Sequence, residues 1–544
     1  MKETCGVRSD IFLITVLCAL AFWVALVPIN SDDFWWHLKA GEQILNSGSI
    51  PAEDLYTYTA GHDDPDYPGR VRFILTQYWL SQVIYALVVK YAGFKGILAL
   101  RGALFLALML LVAVLVRLQS GRVRLPALAL FVLTTKVAVE DSDRPHLFIF
   151  LFAFLVIFLI ERAVAKDEQR SIFVLVPATV IASNMHGGFV IGVGFIGVYF
   201  VCSFFEGRLK PFRKPLLALL IMSFISSYLN PNHWQAYIGS LASFSSMPAI
   251  ATIMEFGSPF SILQHVFRQP SWISYWALTV LSIPAAVSCF RNGKYSQALL
   301  LAATGAAALN SMRFIFFFAP IAAFLGSIFL ADRFRHAPKA GRTADILFAA
   351  LCLMAVLGDS RGNVFRTREI FRQGLFPAAA AAFMAAEDLP PQVFNYVRFG
   401  GYLERQLWPK YRFFIDGRML VNRTMDEYYN IMGFTEKGVA ALQKRGISTI
   451  ITPAVSELTG EIVPLVRGLY KDPEWSLAYN DGQALIFTRK GMFSKELPKY
   501  KVYSEVISEV KLWGPSRKWT AGFDQSLAEA RAEMLKTMPA QYGQ

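Results

Sequence analysis

Charge is scarce in this chain. Only 17% of its 544 residues are Asp, Glu, Lys or Arg, while 54% are hydrophobic. Soluble domains carry about a quarter charged residues. The shortage excludes a soluble globular protein and makes the chain a polytopic α-helical membrane protein. Histidine is limited to seven residues and cysteine to five. Cys5, Cys18, Cys202, Cys289 and Cys352 form no Cys-x-x-Cys or Cys/His spacing, which removes a zinc site and a disulfide framework. No internal repeat is visible. No small-residue cleavage site precedes Asp32, and Trp23 and Pro28 suit a retained helix, so residues 11–29 are a span rather than a signal peptide.

The net charge of +13 would point to nucleic acid in a soluble protein. Here it does not, because basic residues flank spans on the cytoplasmic side. Apolar stretches fall at about 11–29, 79–94, 96–116, 125–139, 147–161, 171–184, 188–205, 215–229, 273–290, 295–311, 314–331 and 344–358. Each is long enough, or nearly so, for a hydrocarbon core of about 30 Å. Basic groups occupy every second turn: Arg117, Arg122 and Arg124; Arg162, Lys166 and Arg170; Arg208, Lys210, Arg213 and Lys214; Arg291 and Lys294; Arg333, Arg335, Lys339 and Arg342. The positive-inside rule makes these turns cytoplasmic, together with Lys2 and Arg8. The alternation holds only if one early stretch does not cross. Residues 79–94 are short and carry Ser81, Gln82 and Lys90; they fit an interfacial helix in the membrane plane. The expectation is about 11 transmembrane helices within residues 1–360, with a first outer loop over 30–95.

This topology sorts the chemistry. Ser31-Asp32-Asp33-Phe34-Trp35-Trp36-His37 stands just past the first span. Adjacent carboxylates at a membrane lip are costly to desolvate and mark function, and tryptophan favours the interface. Asp32 or Asp33 can act as a general base whose pKa burial raises; either can also cap a helix over 34–46. A second acidic turn, Glu140-Asp141-Ser142-Asp143-Arg144-Pro145-His146, faces the same side. A divalent cation, Mg²⁺ or Mn²⁺, held by Asp33, Asp141 and Asp143 is compatible with these oxygen ligands; carboxylates without metal serve equally. Asn184-Met185-His186-Gly187, Asn230-Pro231-Asn232-His233, Arg313 and Arg101 lie on that face too. Each has a functional reading as a phosphate contact and a plain one as a helix end or a snorkelling cation. The polar loop 48–78 reads as a mobile segment over the lip.

After Gly358 the composition changes. Residues 376–490 alternate strand-like runs, Val393–Tyr396, Tyr411–Asp416, Ser448–Thr452 and Ala484–Thr488, with helical runs at 378–386 and 437–445. This predicts a small α/β domain, outside by parity. Asp416 and Arg418 fit a turn salt bridge or an acceptor site. Residues 491–544 are basic and polar, with a helical piece around 525–537.

Asp33-x-Trp35-Trp36-His37-Leu38, Arg144-Pro145, Asn184-x-His186-Gly187, Asn230-Pro231 and Gly401-Tyr402…Asp416-Gly417-Arg418 together resemble a bacterial branch of the GT-C superfamily of membrane glycosyltransferases. The resemblance covers about residues 10–490. It implies a GT-C-like fold, a polyprenyl-phosphate-linked sugar as donor, and transfer to a periplasmic acceptor at the bacterial inner membrane. It makes Asp33 or Asp32 the base and places Asp141 or Asp143 beside it. His37, Arg101, Arg144, His146, His186 and Arg313 become substrate and phosphate contacts, with Tyr402, Asp416 and Arg418 accessory. The chain lacks a WWD-type acceptor-peptide motif, which argues against protein N-glycosylation. Two alternatives stand beside this: a lipid-linked substrate transporter or flippase, and a non-catalytic envelope assembly protein.

Overall fold

The computed structural model describes residues 2–61, 69–121, 124–139, 143–245, 257–262, 270–334, 340–358, 370–371, 375–455 and 462–495. Glu140 and Asp141, the acidic run at 63–66, Glu255 and the tail helix at 525–537 lie outside the described residues. The chain divides into two compact units. The first comprises residues 1–31, 41–50 and 76–371; the second comprises 32–40, 51–75 and 372–544.

The first unit is helical. Helix covers all or most of each of the twelve apolar stretches. Among the described residues, four helices are long and apolar enough to cross a membrane: those within Gly69–Ser120, His146–Lys166, Ser271–Arg291 and Met312–Arg333. The pair Phe189–Cys202 and Gly207–Ser226, bent by 114°, makes a fifth if counted as one span. Other apolar helices are shorter, such as Ile11–Val24 and Leu125–Thr134. Helix runs from Trp79 to Ser120 but breaks at Gly93, whose φ of 63° and ψ of −171° no helix tolerates. Only glycine takes that conformation without a steric cost. The break falls near the end of the 79–94 stretch, three residues before the 96–116 stretch begins. Ring contacts knit the interior: Phe150 stacks on Phe316 at 4.6 Å and meets Phe317 edge-on at 4.9 Å.

The second unit is built on a five-stranded mixed sheet: β1 (Gln392–Asn395), β2 (Arg412–Phe413), β3 (Thr449–Thr452), β4 (Trp475–Asn480) and β5 (Leu485–Arg489). The order is β2-β1-β3-β5-β4. β1 pairs in parallel with β2 and β3, and β5 runs antiparallel to β3 and β4. All four residues of β3, Thr-Ile-Ile-Thr, are buried, as a central strand requires. β4 was not foreseen. Its register slips between Leu477 and Tyr479, although Trp475, Leu477 and Tyr479 alternate with Ser476, Ala478 and Asn480 in the sequence.

One expectation is corrected. Part of the 48–78 loop belongs to this sheet. Thr57 bridges Phe413 in parallel, Tyr58 N donates to Phe413 O at 3.0 Å, and Phe413 N donates to Tyr56 O at 3.0 Å. A polar composition hid a strand-like edge that pairs through its backbone and is tied down by side chains as well, Tyr58 Oη donating to Val393 O at 3.0 Å. Val71 and Leu75 then pack against Leu420 and Val421. The core of the unit gathers Met384, Val393, Phe399, Leu403, Phe413, Ile451 and Ile486, each worth about 1.5–3 kcal/mol when fully buried.

Candidate functional site

The Asp32-Asp33 motif lies in the second unit, among the residues of the sheet domain. Asp33 opens the Asp33–Ser47 helix, where a negative charge meets the positive end of the helix dipole. Its Oδ1 accepts the indole N–H of Trp36 at 2.9 Å. Asp32 forms an ion pair with Arg398, which stands on the Val397–Leu407 helix. Two glycines make room for this arrangement. A Cβ on Gly401 would lie 3.0 Å from Trp36 N, and a Cβ on Gly417 would collide with Asp33 Oδ1. The two most distant parts of the resemblance, Asp33-x-Trp35-Trp36 and Gly401-Tyr402…Asp416-Gly417-Arg418, are therefore one constellation.

Around it, Trp35 meets Tyr402 edge-on at 4.9 Å and Phe376 at 5.3 Å, and Phe376 stacks on Tyr402. The Arg405 guanidinium lies 5.7 Å over Trp35, a cation–π contact. His37 is 2% exposed and lies against Trp36 at 3.5 Å between ring centroids. The expected phosphate contact is thus a packed ring here.

Asp416 and Arg418 form the turn salt bridge. Arg418 Nε donates to Asp416 Oδ2 at 2.8 Å, and its backbone N donates to Oδ1 at 2.7 Å. Arg418 also reaches Asp54 Oδ1 at 2.9 Å and Glu404 Oε1 at 3.7 Å. Three buried carboxyls share one guanidinium. Burial, then Asp416, pushes Glu404 well above its ordinary value. Burial also acts upward on Asp416, but Arg418 outweighs it and holds that carboxyl below its ordinary value. Of this pair, Glu404 holds its proton more tightly than Asp416 does.

The remaining residues belong to the first unit. Arg101 is directed at Asp143 rather than at a ligand. Its Nη1 donates to both carboxylate oxygens at 2.8 Å, its Nε donates to Ala25 O at 2.7 Å, and its other nitrogen reaches Val27 O. Arg101 is 2% and the Asp143 side chain 0% exposed. Both Asp143 oxygens are engaged by Arg101 and Asp33 Oδ1 by Trp36, while Asp141, the third expected cation ligand, lies outside the described residues. Among the described residues no group of three or more His, Cys, Asp or Glu is placed to hold a metal ion.

His186 stands in the turn after the Leu175–Met185 helix. Its Nδ1 accepts the Gly188 N–H at 2.7 Å, so the neutral ring carries its proton on Nε2. Burial, then the Arg313 and Arg144 guanidiniums, pushes it below its ordinary value. His186, Arg313 and Arg144 are thus close enough to act on one another: a neutral donor and two cations. His146 leans on Phe150 at 5.0 Å. The asparagines are joints. Trp79 Nε1 donates to Asn184 Oδ1 at 2.7 Å, and Thr76 Oγ1 donates to Asn232 Oδ1 at 2.9 Å.

Sequence reasoning missed three things. Arg398 carries no spacing signal. Asp54 sat in a loop taken for mobile. Glu161 was read past, yet it is fully buried and accepts from Arg208 at 2.6 and 2.9 Å, Tyr199 at 2.8 Å and Gln119 at 2.6 Å. An acid at the end of an apolar run was the signal.

No family model and no curated protein matches the chain. Solved structures do. The archaeal oligosaccharyltransferase AglB from Archaeoglobus fulgidus, in complex with an inhibitory peptide and a dolichol-phosphate, matches with a TM-score of 0.60 at 10% identity, covering 98% of this chain and 86% of that one. The apo form of the Archaeoglobus fulgidus oligosaccharyltransferase matches with 0.51 at 12% identity, over 98% and 84%. ArnT from Cupriavidus metallidurans in the apo state matches with 0.54 at 12% identity, over 88% and 98%. The chain has the fold of the GT-C membrane glycosyltransferases.

Proposed function

We propose that this chain is a membrane glycosyltransferase that moves a sugar from a polyprenyl-phosphate carrier to an acceptor on the outer face of a bacterial inner membrane. The observation that carries the reading is the Asp32-Asp33 pair, held by Arg398 and Trp36 in a chain that has the GT-C fold over almost its whole length. The neighbouring oligosaccharyltransferase was solved with a dolichol-phosphate, which supports a lipid-phosphate donor.

In this reading Asp33 takes the proton from the acceptor hydroxyl as that oxygen attacks the anomeric carbon. The bond from that carbon to the phosphate oxygen breaks, and the polyprenyl phosphate leaves with the electron pair. A single displacement inverts the anomeric centre. On the helical unit, Arg144, Arg313 and the Nε2–H of His186 offer fixed positive charge and a donor of the kind that stabilises a phosphate. Arg101 and Asp143 hold the outer end of the helices, and no step runs through a metal ion. The topology that goes with it has about eleven spans, a cytoplasmic N-terminus, an interfacial helix over 79–94, and an α/β domain over 376–490 in the periplasm. The test is the Asp33→Asn variant: transfer of labelled sugar from a polyprenyl-phosphate donor is lost while the protein stays folded.

A further inference from the structure

Arg398 and Gly417 are not among the site residues expected from the sequence, yet both address the acidic pair. Arg398 pairs with Asp32 and is itself part-exposed, its side chain at 34%. Gly417 leaves room for Asp33, because a Cβ there would force Asp33 Oδ1 to shift and would come within 3.3 Å of Trp36 Nε1. The loop that carries Gly417 is pinned on both sides. Asp416 and Arg418 bond each other, and Arg418 reaches Asp54 and Glu404. On the Val397–Leu407 helix, a Cβ on Gly400 would lie 2.8 Å from Asp416 Cα, so that helix and the loop are in close contact. The same helix carries Arg398. A rigid two-part seat, made of one helix and one buried ion-pair loop, thus receives the first turn of the Asp33–Ser47 helix.

We propose that Arg398 and Gly417 are positioning residues for the Asp32-Asp33 carboxylates. Arg398 fixes Asp32. Gly417 leaves the space in which Asp33 is held by Trp36. The sheet domain is then part of the catalytic apparatus and not a separable acceptor-binding module. This rests on the glycosyltransferase reading. Reaction geometry explains its value, since a misplacement of about 1 Å can cost ~100-fold in rate.

The experiment uses the full chain in detergent and has two arms. In the first, 5-fluorotryptophan labelling gives a ¹⁹F resonance for Trp36, assigned by Trp36→Phe. Gly417→Ala is expected to move it, as does Asp33→Asn, whereas Gly194→Ala leaves it in place, its added methyl meeting open space. In the second, release of polyprenyl phosphate from polyprenyl-phosphate-mannose and polyprenyl-phosphate-glucose is measured against pH. Gly417→Ala is expected to lower kcat ~100-fold with the donor KM unchanged. Arg398→Gln is expected to lower kcat and move the acid limb of the profile to higher pH, because a carboxylate that loses its cation holds its proton more tightly. Arg398→Lys restores the limb; a purely structural role would lower the rate at all pH values alike. The part-exposed Arg398 keeps the test open should Gly417→Ala fail to fold. Wild-type turnover with both variants unimpaired, or an unmoved Trp36 resonance, overturns the positioning proposal and leaves the enzyme reading intact. A wild type that turns over neither donor while the resonance moves overturns the enzyme reading, and the catalytic role of the seat with it.

Discussion

The indole N–H of Trp36 donates to Asp33 Oδ1 across 2.9 Å, from one turn further along the same helix. A hydrogen bond to a charged acceptor is worth about 1.5–3 kcal/mol. Trp36→Phe keeps the ring and removes the donor. Transfer is expected to fall roughly 10-fold or more with little change in donor KM, read by steady-state kinetics on the two donors. An unchanged kcat would show that this bond does not orient the base.

Arg101 and Asp143 form a pair closed to solvent. Removing one partner of a buried pair costs about 3–5 kcal/mol, whereas replacing both by apolar groups can be neutral. Arg101→Met is therefore expected to lower the melting midpoint in detergent sharply, and Arg101→Met/Asp143→Leu to recover most of it. If Arg101 instead held a phosphate, Arg101→Met would melt normally and raise the donor KM.

Glu404 sets a pH dependence. Burial, then Asp416, raises its folded-state pKa above the ordinary 4.5. A carboxyl raised on folding binds its proton in the folded state, so its stabilising contribution is whole below 4.5 and is lost as pH rises toward the folded value. Glu404→Gln keeps the neutral shape at every pH. It is expected to melt like the wild type at low pH and to gain on it as pH rises. A variant that loses ground as pH rises would mean that Glu404 is ionised in the fold.

The helix break at Gly93 makes a topological statement testable. Tyr91, just before it, is 77% exposed. In a background freed of native cysteines, Tyr91→Cys is expected to react with a membrane-impermeant maleimide added outside spheroplasts, as an outer interfacial segment requires. Labelling only after lysis would place the 79–94 segment across or inside the membrane.

Much of the fold was legible because apolar runs and β-branched runs carry their own period. The helices at Ala378–Ala386 and Glu436–Lys444 and the strands at Gln392–Asn395 and Thr449–Thr452 fall where the sequence places them. β4, Trp475–Asn480, alternates in the sequence and was still passed over. Residues 56–58 escaped because their pairing is made by backbone groups, to which composition is blind. The sequence marked Asp33 in one unit, and His186 and Arg313 in the other, as polar groups set against an apolar background. It left Arg398 unmarked, since a single arginine among the polar residues of the sheet domain carries no such contrast. It offered Arg101 and Asp143 as separate functional groups because pairing across 42 residues leaves no local trace.

The central claim is that Asp33 is the base of a sugar transfer. The most direct test reconstitutes the full chain in liposomes with labelled polyprenyl-phosphate-mannose or polyprenyl-phosphate-glucose and compares the wild type with Asp33→Asn. The account predicts release of polyprenyl phosphate by the wild type and a loss of ~10²–10⁴-fold in the variant, with an unchanged melting midpoint. Equal turnover by a folded Asp33→Asn protein would contradict it.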